Sequence, residues 1–190
     1  MLSYNLRFQV MPELRMPFSS AMTLWFTGLS GSGKTTLAYA LQETLAKSGA
    51  HWYVLDGDVC RTGLCKDLGF SAEDRAENIR RCAEVARILN EAGVSVITAF
   101  ICPYAATRQL ARSIVGDDRF FEVHVNTPLE KCEERDPKGL YKLARNGSIK
   151  NFTGVSDPYE SPAQPAVSID TSNITVEQAV NVVLATLGLR

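Results

Sequence analysis

No apolar run in this 190-residue chain approaches the roughly 18 residues that would cross a bilayer, which argues against a membrane span. Net charge is also lacking, since 20 Lys and Arg against 21 Asp and Glu leave −1. A protein that tracks a nucleic-acid backbone carries a basic excess or stripe, so nucleic acid is not an expected partner, and any anion must be held by a local cluster. The five cysteines, Cys60, Cys65, Cys82, Cys102 and Cys132, are odd in number and include no C-x-x-C pair. That argues against a disulfide framework or a zinc site and fits the reducing cytoplasm. Residues 1–21 lack the continuous apolar core of a secretory leader, so the sequons at Asn146, Asn151 and Asn173 are read as chance. We read 1–21 as a flexible extension or an added strand, with Met22 as an alternative start. No N-K-x-D motif for reading guanine is present, and no internal repeat.

A hydrophobic fraction of 45% and a charged fraction of 22% suit one globular domain, placed at residues 22–190. Strand-like runs alternate with helical patterns. Strands are expected at 23–28, 51–58, 94–100, 120–126 and 166–170. Helices are expected at 33–48, at 71–93 with Ile79, Cys82, Ala83, Ala86 and Leu89 on one apolar face, and near 104–115. Another should start at Thr127-Pro128, with Pro128 as its first residue. A last helix should run from a Thr175/Gln178 capping box to about Leu187. This order predicts an α/β fold, a three-layer doubly wound parallel sheet with helices on both faces. Right-handed crossovers bring the loops Gly28–Thr35, Asp56–Arg61 and Phe100–Tyr104 to one rim. Residues 136–165 break the pattern, and a loop of that length usually has a function.

Gly28, Leu29, Ser30, Gly31, Ser32, Gly33, Lys34 and Thr35 complete G-x-x-x-x-G-K-[ST] between a strand and a helix, and Thr36 follows. The glycines let backbone N–H groups turn onto phosphate oxygens, Lys34 reaches the β- and γ-phosphates, and the Thr35 hydroxyl suits Mg²⁺. Asp56 and Asp58 end the second strand. One carboxylate suits the water shell of the metal, the other a substrate hydroxyl; a solvated turn is the alternative. Arg61, Arg75, Arg80 and Arg81 surround Asn78, as a solvated face or as a clamp for a second anion. Lys138, Lys142 and Arg145 fall in the long segment, as a cationic lid at about 136–153 or as a plain loop. Phe70, Phe100 and Phe152 are core residues or base-stacking platforms. His51 and His124 are read as structural.

The runs GLSGSGKTT, LDGD, RTGLCKDLGFSAEDRAENIRR, TAFICPY, RDPKGLYKLARNG and KNFTGVSDPYE, spread over residues 23–160, resemble the adenylyl-sulfate kinase family. The resemblance implies a P-loop kinase that moves the γ-phosphoryl of MgATP to the 3′-hydroxyl of adenosine 5′-phosphosulfate. The product is 3′-phosphoadenosine 5′-phosphosulfate, in the second step of sulfate activation. It implies Mg²⁺ and a homodimer, and it leaves open a partnership with an ATP sulfurylase. By resemblance Lys34, Asp56 and Asp58 are catalytic. Arg61, Arg75, Asn78 and Arg81 or Arg80 hold phosphosulfate and ribose, and Phe70 and Phe152 sandwich the adenine. Ile101 and Lys138 complete the pocket, with Ile79, Phe100 and Asn151 also in the acceptor set. Three positions depart from the family pattern: Val59 replaces an asparagine, Thr62 a histidine and Cys102 a serine. Direct in-line transfer needs no phosphorylated serine. A kinase of another nucleotide-linked acceptor, or a non-catalytic nucleotide-binding protein, are the competing readings.

Overall fold

In the computed structural model, which describes residues 21–189, the first run of β-type residues, Thr23–Thr27 (β1), lies at the middle of the sheet. The expected extension, up to residue 20, lies outside the described residues. The chain continues through α1 (Lys34–Ala46), β2 (Trp52–Asp56), α2 (Gly57–Thr62), α3 (Ala72–Glu91) and β3 (Ser95–Ala99). Then follow α4 (Ala105–Val115), β4 (Phe120–Val125), α5 (Leu129–Arg135), α6 (Leu140–Arg145), β5 (Val167–Ile169) and α7 (Val176–Leu187). The five strands are parallel in the order β2-β3-β1-β4-β5. β1 pairs with both β3 and β4, which puts the loop after it where the connections leave in opposite directions, the usual ligand crevice of an open α/β sheet.

Side chains of successive β1 residues serve opposite faces. Leu24 and Phe26 join Leu37, Leu41 and Leu45 of α1 and Val180 and Val183 of α7 in one core. Trp25 joins Ile79, Cys82, Ala83 and Ala86 of α3 and Ala111 and Val115 of α4 in the other. Burial on both faces explains why β1 and β3 read as apolar runs rather than alternating ones. The buried hydroxyl of Thr23 donates to Asn90 Oδ1 at 2.8 Å, and Asn90 Nδ2 in turn donates to Met22 O and Val94 O, so this polar pair under the sheet is satisfied.

The helix ends follow from local chemistry. Ser71 Oγ accepts from Asp74 N at 3.1 Å, and the Thr175/Gln178 box closes in both directions. Three details differ from expectation. The second strand stops at Asp56 because that carboxylate caps α2, with Oδ1 accepting from Asp58 N at 2.8 Å. Pro128 is the N-cap of α5 and not its first residue, while the Thr127 hydroxyl is engaged elsewhere, on Ser32 O at 3.1 Å. The aperiodic segment holds a six-residue helix, α6, too short to show a period; the two oxygens of Asp136 accept from Tyr141 N and Lys142 N at its start.

Candidate active site

β1 delivers the chain to the rim at Thr27, and the glycine-rich turn follows. Gly28, Gly31 and Gly33 have φ of 149°, 73° and 97°. A Cβ on Gly28 would sit 2.4 Å from Val125 O, and one on Gly31 2.9 Å from Cys132 O. Gly28→Ala is therefore expected to cost about 1–3 kcal/mol or more. Thermal melts with and without ATP should show a nucleotide-dependent rise in melting temperature in the parent and none in the variant.

The carbonyls of the turn are tied by side chains from distant parts of the chain. Tyr141 Oη donates to Ser30 O at 3.0 Å, and Arg135 Nη1 to Gly31 O at 3.3 Å. Thr127 and Thr171 hydroxyls donate to Ser32 O at 3.1 and 2.9 Å. α1 opens at Gly33 with no side-chain cap to compete for its first-turn donors. Lys34 is buried, and its Nζ donates to Gly28 O (3.0 Å), Leu29 O (2.7 Å) and Ser32 Oγ (3.4 Å). Burial pulls its pKa from 10.5 down to about 8, with Cys132 and Asp56 opposing the shift. None of Tyr141, Arg135, Thr127 or Thr171 was identifiable from the P-loop motif, because their contact with it is made only in three dimensions.

Asp56 is buried, and its Oδ2 accepts from Thr35 Oγ1 at 2.8 Å. Two residues on, in the first turn of α2, Asp58 is largely exposed and bonded by Lys138 Nζ, which reaches across from the segment between α5 and α6. The turn thus sends one carboxylate inward to the P-loop threonine and the other out over the rim.

A cavity of about 1120 Å³ joins these pieces, somewhat above the roughly 300–1,000 Å³ of a site for one drug-sized ligand. It is lined by Asp58, Arg61, Phe70, Arg75, Asn78 and Phe152, and also by Arg135, Thr171, Ile174 and Val176. Ile79, Phe100, Ile101, Cys102 and Lys138 also line it. Phe70 is 68% exposed with the Arg61 guanidinium 4.4 Å over its ring, whereas Phe152 packs edge-on against Tyr141 at 5.0 Å. Phe100 is buried against Trp25 and belongs to the core as well as to the cavity wall. Asn78 is buried with an Oδ1 that finds no protein donor, an orphan expected to take a hydrogen bond from a ligand.

Other expected site residues lie elsewhere. Arg80 and Arg81 do not line the cavity; both bind Glu77, and Arg81 also forks onto Asp67 at 2.7 and 2.9 Å. Oppositely charged neighbours three or four residues away on α3 satisfy them first. Arg145 pairs with Glu133, and neither it nor Lys142 lines the cavity. Asn151, at φ 54°, meets Arg75 through its carbonyl rather than lining the cavity by its side chain. Of the three departures, Val59 and Thr62 are outside the lining set, with Thr62 Oγ1 donating to Val59 O. Cys102 does line the cavity at φ 42°; its carbonyl accepts from Thr27 Oγ1 and Arg108 Nη1, and burial pushes its thiol pKa to about 11. A thiol held neutral in this way is a poor nucleophile.

Comparison with known proteins gives a consistent picture. The family model for adenylylsulphate kinase matches residues 20–170. The chain is 58% identical to the adenylyl-sulfate kinase of Shewanella amazonensis over 157 residues, 83% of this chain and 79% of that protein. Among solved structures, the Mycobacterium tuberculosis APS kinase in complex with AMPPNP and APS superposes with a TM-score of 0.86 at 44% identity, covering 90% of this chain and 99% of that one. A hexameric APS kinase from Thiobacillus denitrificans superposes with a TM-score of 0.67 at 33% identity, over 89% of this chain and 29% of that longer one.

Proposed function

The chain belongs to the adenylyl-sulfate kinase family, and from that premise we infer that it transfers the γ-phosphoryl group of ATP to the 3′-hydroxyl of adenosine 5′-phosphosulfate, releasing ADP. The observation that carries this reading is the shared cavity: Ser30, Gly31, Gly33, Lys34, Thr35 and Thr36 of the P-loop line one hollow with Asp58, Arg61, Phe70, Arg75 and Asn78. ATP lays its phosphates in the Gly28–Thr36 turn. Its base lies toward Arg135, Thr171, Ile174 and Val176. The acceptor lies among Arg61, Phe70, Arg75, Asn78 and Phe152, with Asn78 Oδ1 taking a hydrogen bond from it and Phe70 and Phe152 facing its adenine.

Asp58 accepts the proton of the attacking hydroxyl and aims it in line with the γ-phosphorus. Lys34 and Lys138 lie where negative charge grows on the moving group, so most of the catalysis is positioning and electrostatics. The hydroxyl of Thr35 and the carboxylate of Asp56 are hard oxygen donors at one edge of the P-loop, and the pair fits Mg²⁺, which Thr35 and Asp56 would hold. Bound there, the ion would supply charge neutralisation for the ATP phosphates.

We assign the lid role to the segment around Lys138, within 136–153. The working unit is a homodimer of residues 22–190 in the cytoplasm. An ATP sulfurylase, whose reaction makes adenosine 5′-phosphosulfate, is its functional partner. No helix among the described residues is long and apolar enough to cross a membrane.

The test is ADP release followed with ATP and Mg²⁺, with and without adenosine 5′-phosphosulfate, beside a panel of other nucleotide acceptors. ADP release that depends on adenosine 5′-phosphosulfate is the expected result; its absence, or a clear preference for another acceptor, would overturn the assignment.

A further inference from the structure

Arg75, in the first turns of α3, lines the acceptor side of the cavity yet is held by protein on nearly every side. Its Nε donates to Phe70 O at 2.9 Å, Nη1 to Thr153 Oγ1 at 2.9 Å and Asp157 Oδ2 at 3.2 Å, and Nη2 to Asn151 O at 2.5 Å. A guanidinium has five N–H groups. Four are engaged, which leaves one on Nη2 for a ligand.

The carboxylate in this set does more than balance charge. Asp157 Oδ2 also accepts from Tyr104 Oη at 2.6 Å, and that hydrogen bond holds the Tyr104 phenol above its usual pKa. Both Arg75 and Asp157 side chains are more than four-fifths buried, at 16% and 18% exposure, so the pair is shielded from solvent. Three walls of the acceptor pocket meet at one oxygen: α3 through Arg75, the β3–α4 loop through Tyr104, and the 151–157 segment through Asp157 itself. The backbone of Asp157 closes that segment as well. Its N–H donates to Phe152 O at 3.1 Å and its carbonyl accepts from Gly154 N at 2.8 Å. The residue that orients Arg75 thereby also fixes the turn that carries Phe152.

We propose that Asp157, supported by Tyr104, is a positioning residue for the acceptor: it presets the Arg75 guanidinium and the Phe152 turn before the acceptor arrives. The proposal rests on the acceptor reading given above. A preset arginine loses less rotamer freedom on binding an anion than a free one, so the benefit falls on acceptor affinity and not on the chemical step. Loss of a charge-assisted hydrogen bond in a shielded setting weakens binding measurably even where the fold survives.

The experiment is steady-state kinetics on the full chain carrying Asp157→Asn, which keeps the shape and removes the charge. The expected result is a KM for adenosine 5′-phosphosulfate raised about tenfold or more, with kcat changed by less than about threefold and KM for ATP unchanged. Tyr104→Phe, which removes one donor to the same oxygen, should raise the acceptor KM by a smaller factor. In an Arg75→Ala background Asp157→Asn should add little, because it acts through that arginine. An unchanged acceptor KM in Asp157→Asn would overturn the proposal, as would equal losses in the presence and absence of Arg75, or a fall in kcat alone. Should Asp157→Asn fail to fold, Tyr104→Phe and its Arg75→Ala double variant decide by the same criteria. A parent protein that releases no ADP with this acceptor would refute the reaction assignment instead, and the positioning role with it.

Discussion

Lys34→Ala should lower kcat/KM for ATP by about 10²–10³-fold or more, the size of effect seen when a preorganised donor to a developing anion is removed. The P-loop should keep its shape, since its carbonyls are held by Tyr141, Arg135, Thr127 and Thr171 as well as by Lys34. The same lysine gives the empty protein a pH dependence. Its folded pKa is about 8 against an ordinary 10.5, lowered by burial. Below about 8 both folded and unfolded chains carry the charge, and the folded one bears the full desolvation penalty. Between about 8 and 10.5 the unfolded chain holds a proton that the folded one has released, so Lys34 makes folding more favourable as pH rises, until both forms are neutral. Polyphosphate reverses this by favouring the ammonium. ATP binding at about pH 8.5 should take up protons, and its affinity should weaken as pH climbs further, readable by titration calorimetry in buffers of different ionisation enthalpy. No proton uptake there would refute the placement of the triphosphate beside Lys34.

Asp58→Ala is expected to cut kcat by about 10²-fold or more while leaving ATP binding close to that of the parent, because removal of a general base acts on the chemical step. Near-normal kcat would remove Asp58 from that role. Asp56→Ala should behave differently. Asp56 is buried, caps α2 and accepts from Thr35, so its loss should lower melting temperature as well as activity. Melts and single-turnover rates on the two variants separate a residue that serves the reaction from one that also serves the fold.

Much of this architecture was legible in the sequence because its signals are local. The Thr175/Gln178 box, the Ile79/Cys82/Ala83/Ala86 face and the apolar run in β3 each lie within a few turns of chain and agree with one another. The P-loop was legible for the same reason. Roles that depend on competing partners were not. Arg80 and Arg81 carry the right charge, and Arg81 the right spacing from Arg75 and Asn78, but Glu77 claims both and Asp67 also claims Arg81. Asp136 was unremarkable in sequence and starts a helix; Pro128 moved by one position because Thr127 serves the P-loop and not the helix end. The wall formed by Arg135, Thr171 and Ile174 comes from parts of the chain far from the motif, so no spacing rule reaches it.

The Thr171 hydroxyl that holds Ser32 O lies 139 residues downstream of it. The glycine-rich turn, first met near the start of the chain, is thus finished by a residue just past β5. During synthesis the glycine-rich loop leaves the ribosome well before Thr171 exists to brace it, at about 5–20 residues per second. The last of the four side chains that brace the carbonyls of this turn is therefore supplied only when the chain is nearly complete.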